Sequence, residues 1–214
     1  MALSGARGRF VTLEGPEGSG KTTAARNLAR WLRQQGREAV LTHEPGGTPL
    51  GEAIRELLLH QRGVSDDLEP RTDALLYAAS RAQHVARVIR PALDRGEWVV
   101  CARFMDSSLA YQGYGYGNDL GELRLLQAFA TGGLVPDLTF LIDVPVEVGL
   151  GRKRRDAWNR FEDAESRHFH ERVRAGYREL ASQEPRRYRI IDGAGDVAAT
   201  DAAVREAIAS LLDG

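Results

Sequence analysis

The chain has 214 residues, 43% of them hydrophobic and 28% charged, which is enough for one domain with a sizeable core. Its 29 Lys and Arg nearly cancel its 30 Asp and Glu, and that balance argues against a broadly basic nucleic-acid binder. Of the cations only Lys21 and Lys153 are lysine, so each stands out against a background of arginine.

In chain order, Phe10 to Glu14 reads as a buried strand, followed by a glycine-rich turn and a helix to about Gln35, closed by Gly36. Glu38 to Thr42 is a second strand and Gly51 to Leu59 a helix. A long helix is predicted over about Arg71 to Leu93, with an apolar stripe of Leu75, Ala79, Ala82, Ala86, Ile89 and Leu93 that serves either core or interface. Trp98 to Cys101 is a third strand, Leu120 to Ala130 a helix, Leu138 to Ile142 a fourth strand and Arg189 to Ile191 a fifth. Strands separated by helices imply parallel pairing with right-handed crossovers. Continuously apolar strands fit a sheet covered on both faces. The expected class is therefore α/β, a doubly wound five-stranded parallel sheet flanked by helices, with ligands beyond the carboxyl ends of its strands.

The one cysteine, Cys101, leaves no internal disulfide, and five scattered histidines offer no Cys/His metal pattern. His168 and His170, two apart, are expected on the surface. No apolar run approaches the roughly 20 residues of a membrane span. Arg7 and Arg9 lead straight into the first strand, so no secretory signal is expected. A cytoplasmic location, with no membrane and no nucleic-acid partner, is the expectation.

The first strand ends in Gly15-Pro16-Glu17-Gly18-Ser19-Gly20-Lys21-Thr22, the G-x-x-x-x-G-K-[ST] phosphate loop in its required strand-to-helix setting. The glycines let successive N–H groups converge on phosphate oxygens. The helix start adds partial positive charge. Lys21 suits the β/γ-phosphates of a nucleoside triphosphate, and the Thr22 hydroxyl suits Mg²⁺. The motif implies a P-loop NTPase fold with ATP as co-substrate along Gly15 to Thr23, but leaves switch, motor and kinase open.

Three further stretches narrow that choice. Glu44-Pro45-Gly46-Gly47-Thr48 follows the second strand. Ala78-Ala79-Ser80-Arg81-Ala82-Gln83 lies on the long helix. Asp106-Ser107-Ser108-Leu109-Ala110-Tyr111-Gln112-Gly113 follows the third strand. In that order after a P-loop they make the chain resemble the thymidylate kinases, bacterial type, from about Phe10 to Ile191. The resemblance implies a single kinase domain over 1–214, a lid at about 151–162, transfer of the ATP γ-phosphoryl group to dTMP, Mg²⁺, and a homodimer. Two alternatives stay open: a nucleotide-binding protein with little kinase activity, and a kinase for another deoxynucleotide.

The resemblance also implies roles for single residues. Tyr77 stands where the family stacks a phenylalanine on thymine, and Arg81, four residues on, where an arginine reaches a base carbonyl. Gln112 can both donate and accept against thymine N3–H and its neighbouring carbonyl. Tyr111 crowds the sugar 2′ position. Glu17 contacts the sugar 3′-hydroxyl and needs a donor partner. Arg55 and Arg103 clamp the acceptor phosphate, with Glu44 and Ser107 beside them. Arg155 and Arg160 in the lid serve the transferring phosphates with Lys21 and Arg103, and Arg152 stacks on adenine. Asp192 to Gly195 is either an adenine-wrapping loop or a plain turn.

Two positions depart from the family. Where it reads Asp-Arg after the third strand, this chain reads Ala102-Arg103, and His43 stands where arginine is common. Asp106 or Glu44 is a candidate to replace the missing acid.

Overall fold

Five short strands with little polar interruption pair in the order β2-β3-β1-β4-β5, every neighbour parallel. The computed structural model describes residues 8–61, 68–153 and 167–209. The strands are β1 Phe10–Glu14, β2 Ala39–His43, β3 Trp98–Ala102, β4 Leu138–Asp143 and β5 Tyr188–Asp192, each within two residues of its expected bounds. β1 and β3 are buried throughout, as helices on both faces require.

The crossovers carry the helices α1 Lys21–Gln34, α2 Pro49–Leu59, α3 Pro70–His84, α4 Arg90–Asp94, α5 Met105–Ser108, α6 Leu120–Thr131, α7 Val146–Lys153, α8 Arg167–Gln183 and α9 Val197–Ala209. One face of the sheet packs Val11, Leu13, Val100 and Phe140 against Ala25, Leu28 and Leu32 of α1 and Ile208 of α9. On the other side, Tyr177 and Leu180 of α8 meet Leu109, Tyr111 and Leu141.

The long helix predicted to Leu93 is continuous but not regular. Between α3 and α4 it passes through a π turn, Val85–Ile89. Pro91 follows and has no N–H to give the carbonyl one turn back, which is a common setting for such a turn.

The apolar stripe divides along the helix: Ile89 and Leu93 are buried, while its first part faces outward. Leu75 is 58% exposed, and Ala79 and Ala86 are exposed too. The inward face is instead Asp73, Ala74, Tyr77, Ala78, Ser80, Arg81 and His84. It can be buried because its polar groups are paired. His84 Nδ1 lies 2.9 Å from Glu44 Oε1 and its Nε2 lies 2.6 Å from Thr42 Oγ1. One expectation is corrected: His170, expected on the surface, is buried beside Phe169, while His168 is exposed.

Candidate active site

Every loop that follows a strand opens at the carboxyl edge of the sheet, where a doubly wound fold binds its ligands. Two cavities lie there. One, of about 700 Å³, runs along Gly18 to Ala24, Arg152, Gly193, Gly195 and the start of α9. The other, of about 430 Å³, is bounded by Glu17, Glu44, Arg55, Tyr77, Ala102, Arg103, Ser107, Tyr111 and Gln112. Lys21 and Thr22 line both.

The phosphate loop is built by its glycines. Gly18 has φ +67° and lies so close to the chain at Gly149 that a Cβ would collide with that carbonyl. Gly149 faces Glu17 with the same economy, so two glycines let α7 lie directly on the loop. Gly20 has φ +90° with open space where its Cβ would be, and it caps α1. The Ser19 hydroxyl is buried with no hydrogen-bond partner among the described residues. Lys21 Nζ reaches back 3.0 Å to the Pro16 carbonyl. Gly15 and Pro16 line neither cavity, and Glu17 lines the second rather than the first. Thr23 lines the first.

Thr22 is exposed where the cavities meet. A hydroxyl oxygen there fits Mg²⁺, a hard cation that keeps its waters and takes most other ligands from substrate phosphates. Among the described residues no cluster of three or more His, Cys, Asp or Glu could hold a metal ion.

Arg152 spans the edge of the first cavity. Its guanidinium donates to the carbonyls of Gly193 at 2.8 Å and of Ala194 and Gly195 at 3.1 Å. The turn after β5 is thereby tied to the end of α7, and Gly193 and Gly195 line the cavity. Arg155, Arg160 and most of the 151–162 segment lie outside the described residues.

In the second cavity the pivot is Arg103. Among the described residues it is the one non-glycine with positive φ, 69°. Such a conformation costs about 1–3 kcal/mol and persists only where the surroundings fix it. Here they do. Its backbone N–H donates to the Leu13 carbonyl at 3.0 Å. Its guanidinium pairs with Glu17, sits 3.2 Å from Tyr111 Oη and 3.3 Å from Ser107 Oγ, and lies over the Tyr111 ring. Glu17 thus has the donor partner that its place in a phosphate loop demands. Arg55 donates to the Pro45 carbonyl at 3.1 Å from the opposite wall.

Behind Arg103 is a group that motif reading did not find. Glu14, at the end of β1, is buried and accepts from Phe104 N at 2.7 Å, Ser107 Oγ at 2.5 Å and Tyr177 Oη at 3.1 Å. Burial and then the neighbouring Asp106 push its carboxyl up from 4.5 to about 7. Nothing in the local sequence announced this network, because Glu14, Ser107 and Tyr177 come from three distant segments.

Arg81 departs from its expected place. It is 1% exposed and does not line the cavity. Its guanidinium donates to Glu44 Oε2 at 2.7 Å, Ser108 Oγ at 2.9 Å, the Phe104 carbonyl at 2.9 Å and Gln127. These bonds fix Glu44 and the start of the Phe104 segment. A buried arginine is tolerated only when saturated in this way.

The missing acid leaves a definite gap. Ala102 lines the cavity, paired in register with His43 on one side and Leu13 on the other. Asp106 does not stand in for it. That carboxylate is fully buried and held bidentately by Arg187 at 2.7 and 2.9 Å. Glu44 does line the cavity, but each of its oxygens is already held, one by Arg81 and one by His84. His43 is half-buried against Glu52, and burial pushes its pKa below the usual value.

The chain matches the family model for thymidylate kinase over residues 13–204. It is 54% identical over 184 residues to a thymidylate kinase of Thermomicrobium roseum, covering 86% of each chain. It is 50% identical over 208 residues to one of Alkalilimnicola ehrlichii, covering 96% of this chain and 94% of the other. The crystal structure of the thymidylate kinase from Ehrlichia chaffeensis superposes with a TM-score of 0.76 at 33% identity, covering 94% of this chain and 99% of that one. With the phosphate loop, the three later motifs and the parallel sheet all in place, the chain belongs to the thymidylate kinase family.

Proposed function

We propose that the protein transfers the γ-phosphoryl group of ATP to dTMP, giving ADP and dTDP. The observation that carries this reading is the pair of cavities sharing Lys21 and Thr22. A donor triphosphate along Gly18 to Thr23 and an acceptor monophosphate between Arg55 and Arg103 then meet at one cationic point. Such a reaction leaves little covalent work for the protein; positioning and charge neutralisation supply the rate.

The same reading gives each residue a role. Lys21 leaves the Pro16 carbonyl for the β/γ-phosphates. Arg103, held by Glu17, Tyr111 and Ser107, and Arg55 grip the acceptor phosphate. Tyr77 offers its ring to the base and Gln112 its amide. Glu17 and Tyr111 lie on the sugar side. Mg²⁺ bound with ATP at Thr22 would neutralise phosphate charge. Arg155 and Arg160 are assigned to the transferring phosphates and Arg152 to the adenine side of the donor cavity, within one kinase domain over 1–214.

The protein works as a homodimer. Leu75 on α3 and Leu125 and Phe129 on α6 are 58%, 75% and 87% exposed in the single chain. Together with Ala79 and Ala86 they supply apolar surface of the kind an obligate contact covers. Among the described residues no helix is long and apolar enough to cross a membrane, and we assign the protein to the cytoplasm.

An acceptor panel tests the assignment. With Mg·ATP, ADP release is expected to be fastest with dTMP. Faster turnover of dCMP or free thymidine would overturn it.

A further inference from the structure

Gln112 lies in the π-helical segment Leu109–Gly115 and lines the acceptor cavity with Tyr77. Its side-chain nitrogen donates to Asp73 Oδ2 at 2.8 Å. Asp73 is 1% exposed and does not line the cavity. It stands one helical turn before Tyr77, on the same face of α3.

A carboxylate only accepts hydrogen bonds, whereas an amide has one donating end and one accepting end. Next to Asp73 the amide must therefore present its nitrogen to the carboxylate. The reverse arrangement sets Oε1 against a carboxylate oxygen, two buried acceptors with no proton between them. The way Gln112 faces the cavity is thus decided by a residue that never touches the ligand.

We propose that Asp73 is a specificity-determining positioning residue for the pyrimidine. By fixing the Gln112 amide it favours a base edge with an N3–H donor beside a carbonyl, since Oε1 accepts from N3–H. An edge with an N3 acceptor beside an amino group needs the amide turned round, which Asp73 opposes. The inference rests on the reading of this cavity as the dTMP site.

The test is calorimetric titration of dTMP and dCMP into the wild-type chain, Gln112→Ala, Asp73→Asn and the double variant. Asparagine at 73 can offer either a nitrogen or an oxygen, so both amide orientations become satisfied. The preference for dTMP over dCMP should fall by about fivefold to thirtyfold in Asp73→Asn, as expected when one mispaired buried hydrogen bond is relieved. Adding Asp73→Asn to Gln112→Ala should change the preference no further.

Three results overturn the proposal alone. The first is a wild-type preference kept in Asp73→Asn but lost in Gln112→Ala. The second is a further change in the double variant. The third is an equal loss of both ligands in Asp73→Asn, the mark of a merely structural role. A wild-type chain that does not prefer dTMP, or a Gln112→Ala chain that keeps the preference, overturns the reading of the site and this inference with it. Should Asp73→Asn fold poorly, Asp73→Ser, whose hydroxyl also accepts or donates, answers the same question.

Discussion

Ala102 is the position where one substitution should raise activity. It closes β3 at 5% exposure, next to Arg103, and lines the second cavity together with Lys21, Thr22 and Glu44. The nearby acids are occupied: Asp106 by Arg187, Glu44 by Arg81 and His84. Ala102→Asp adds a carboxylate that can accept from water around the reacting phosphates and orient the acceptor. One charge-assisted hydrogen bond is worth about 1.5–3 kcal/mol, or roughly tenfold to a hundredfold in rate. On the proposed reading, in which Arg55 and Arg103 grip the acceptor, the gain is expected in kcat rather than KM. Without ligand the added charge sits near Glu44 and Glu14, so the apo protein should melt at lower temperature and recover when ATP and dTMP bind. Steady-state ADP release at saturating substrates reads the effect. An unchanged kcat would show that another group already does this work and would refute the reasoning.

Two further predictions follow from the buried network and the exposed face. Glu14 has its carboxyl raised to about 7, so the native state holds its proton more tightly than the unfolded chain. The stability this contributes is full below about pH 4.5 and is lost as pH rises through 7. Glu14→Gln should therefore gain on the wild type by up to about 3 kcal/mol between pH 4 and 8, read from urea midpoints across that range; parallel profiles would contradict the assignment. Phe129→Glu should convert a dimer to a monomer in analytical ultracentrifugation, and a wild-type chain sedimenting as a monomer would refute the proposed interface.

Strand bounds were readable because buried parallel strands here are short apolar runs, and the phosphate loop was readable because its chemistry allows few residues. The sequence motifs also named residues that the fold brings together: Glu17, Glu44, Arg55, Tyr77, Arg103, Ser107, Tyr111 and Gln112 all line one cavity. The polar inward face of α3 was not readable, because the partners of Arg81 and His84, namely Glu44, Thr42, Ser108 and Gln127, lie far away in sequence. Asp73 left a trace, four residues before Tyr77 on the same face. Glu14 and Tyr177 left none, since only the fold brings β1 and α8 together.

The most direct test of the account is transfer of label from [γ-³²P]ATP in the presence of Mg²⁺ and dTMP. Labelled dTDP appearing in step with ADP, and only when dTMP is present, is the predicted result. Saturable binding of dTMP and ATP with no labelled dTDP would contradict it and leave a nucleotide-binding protein without kinase activity.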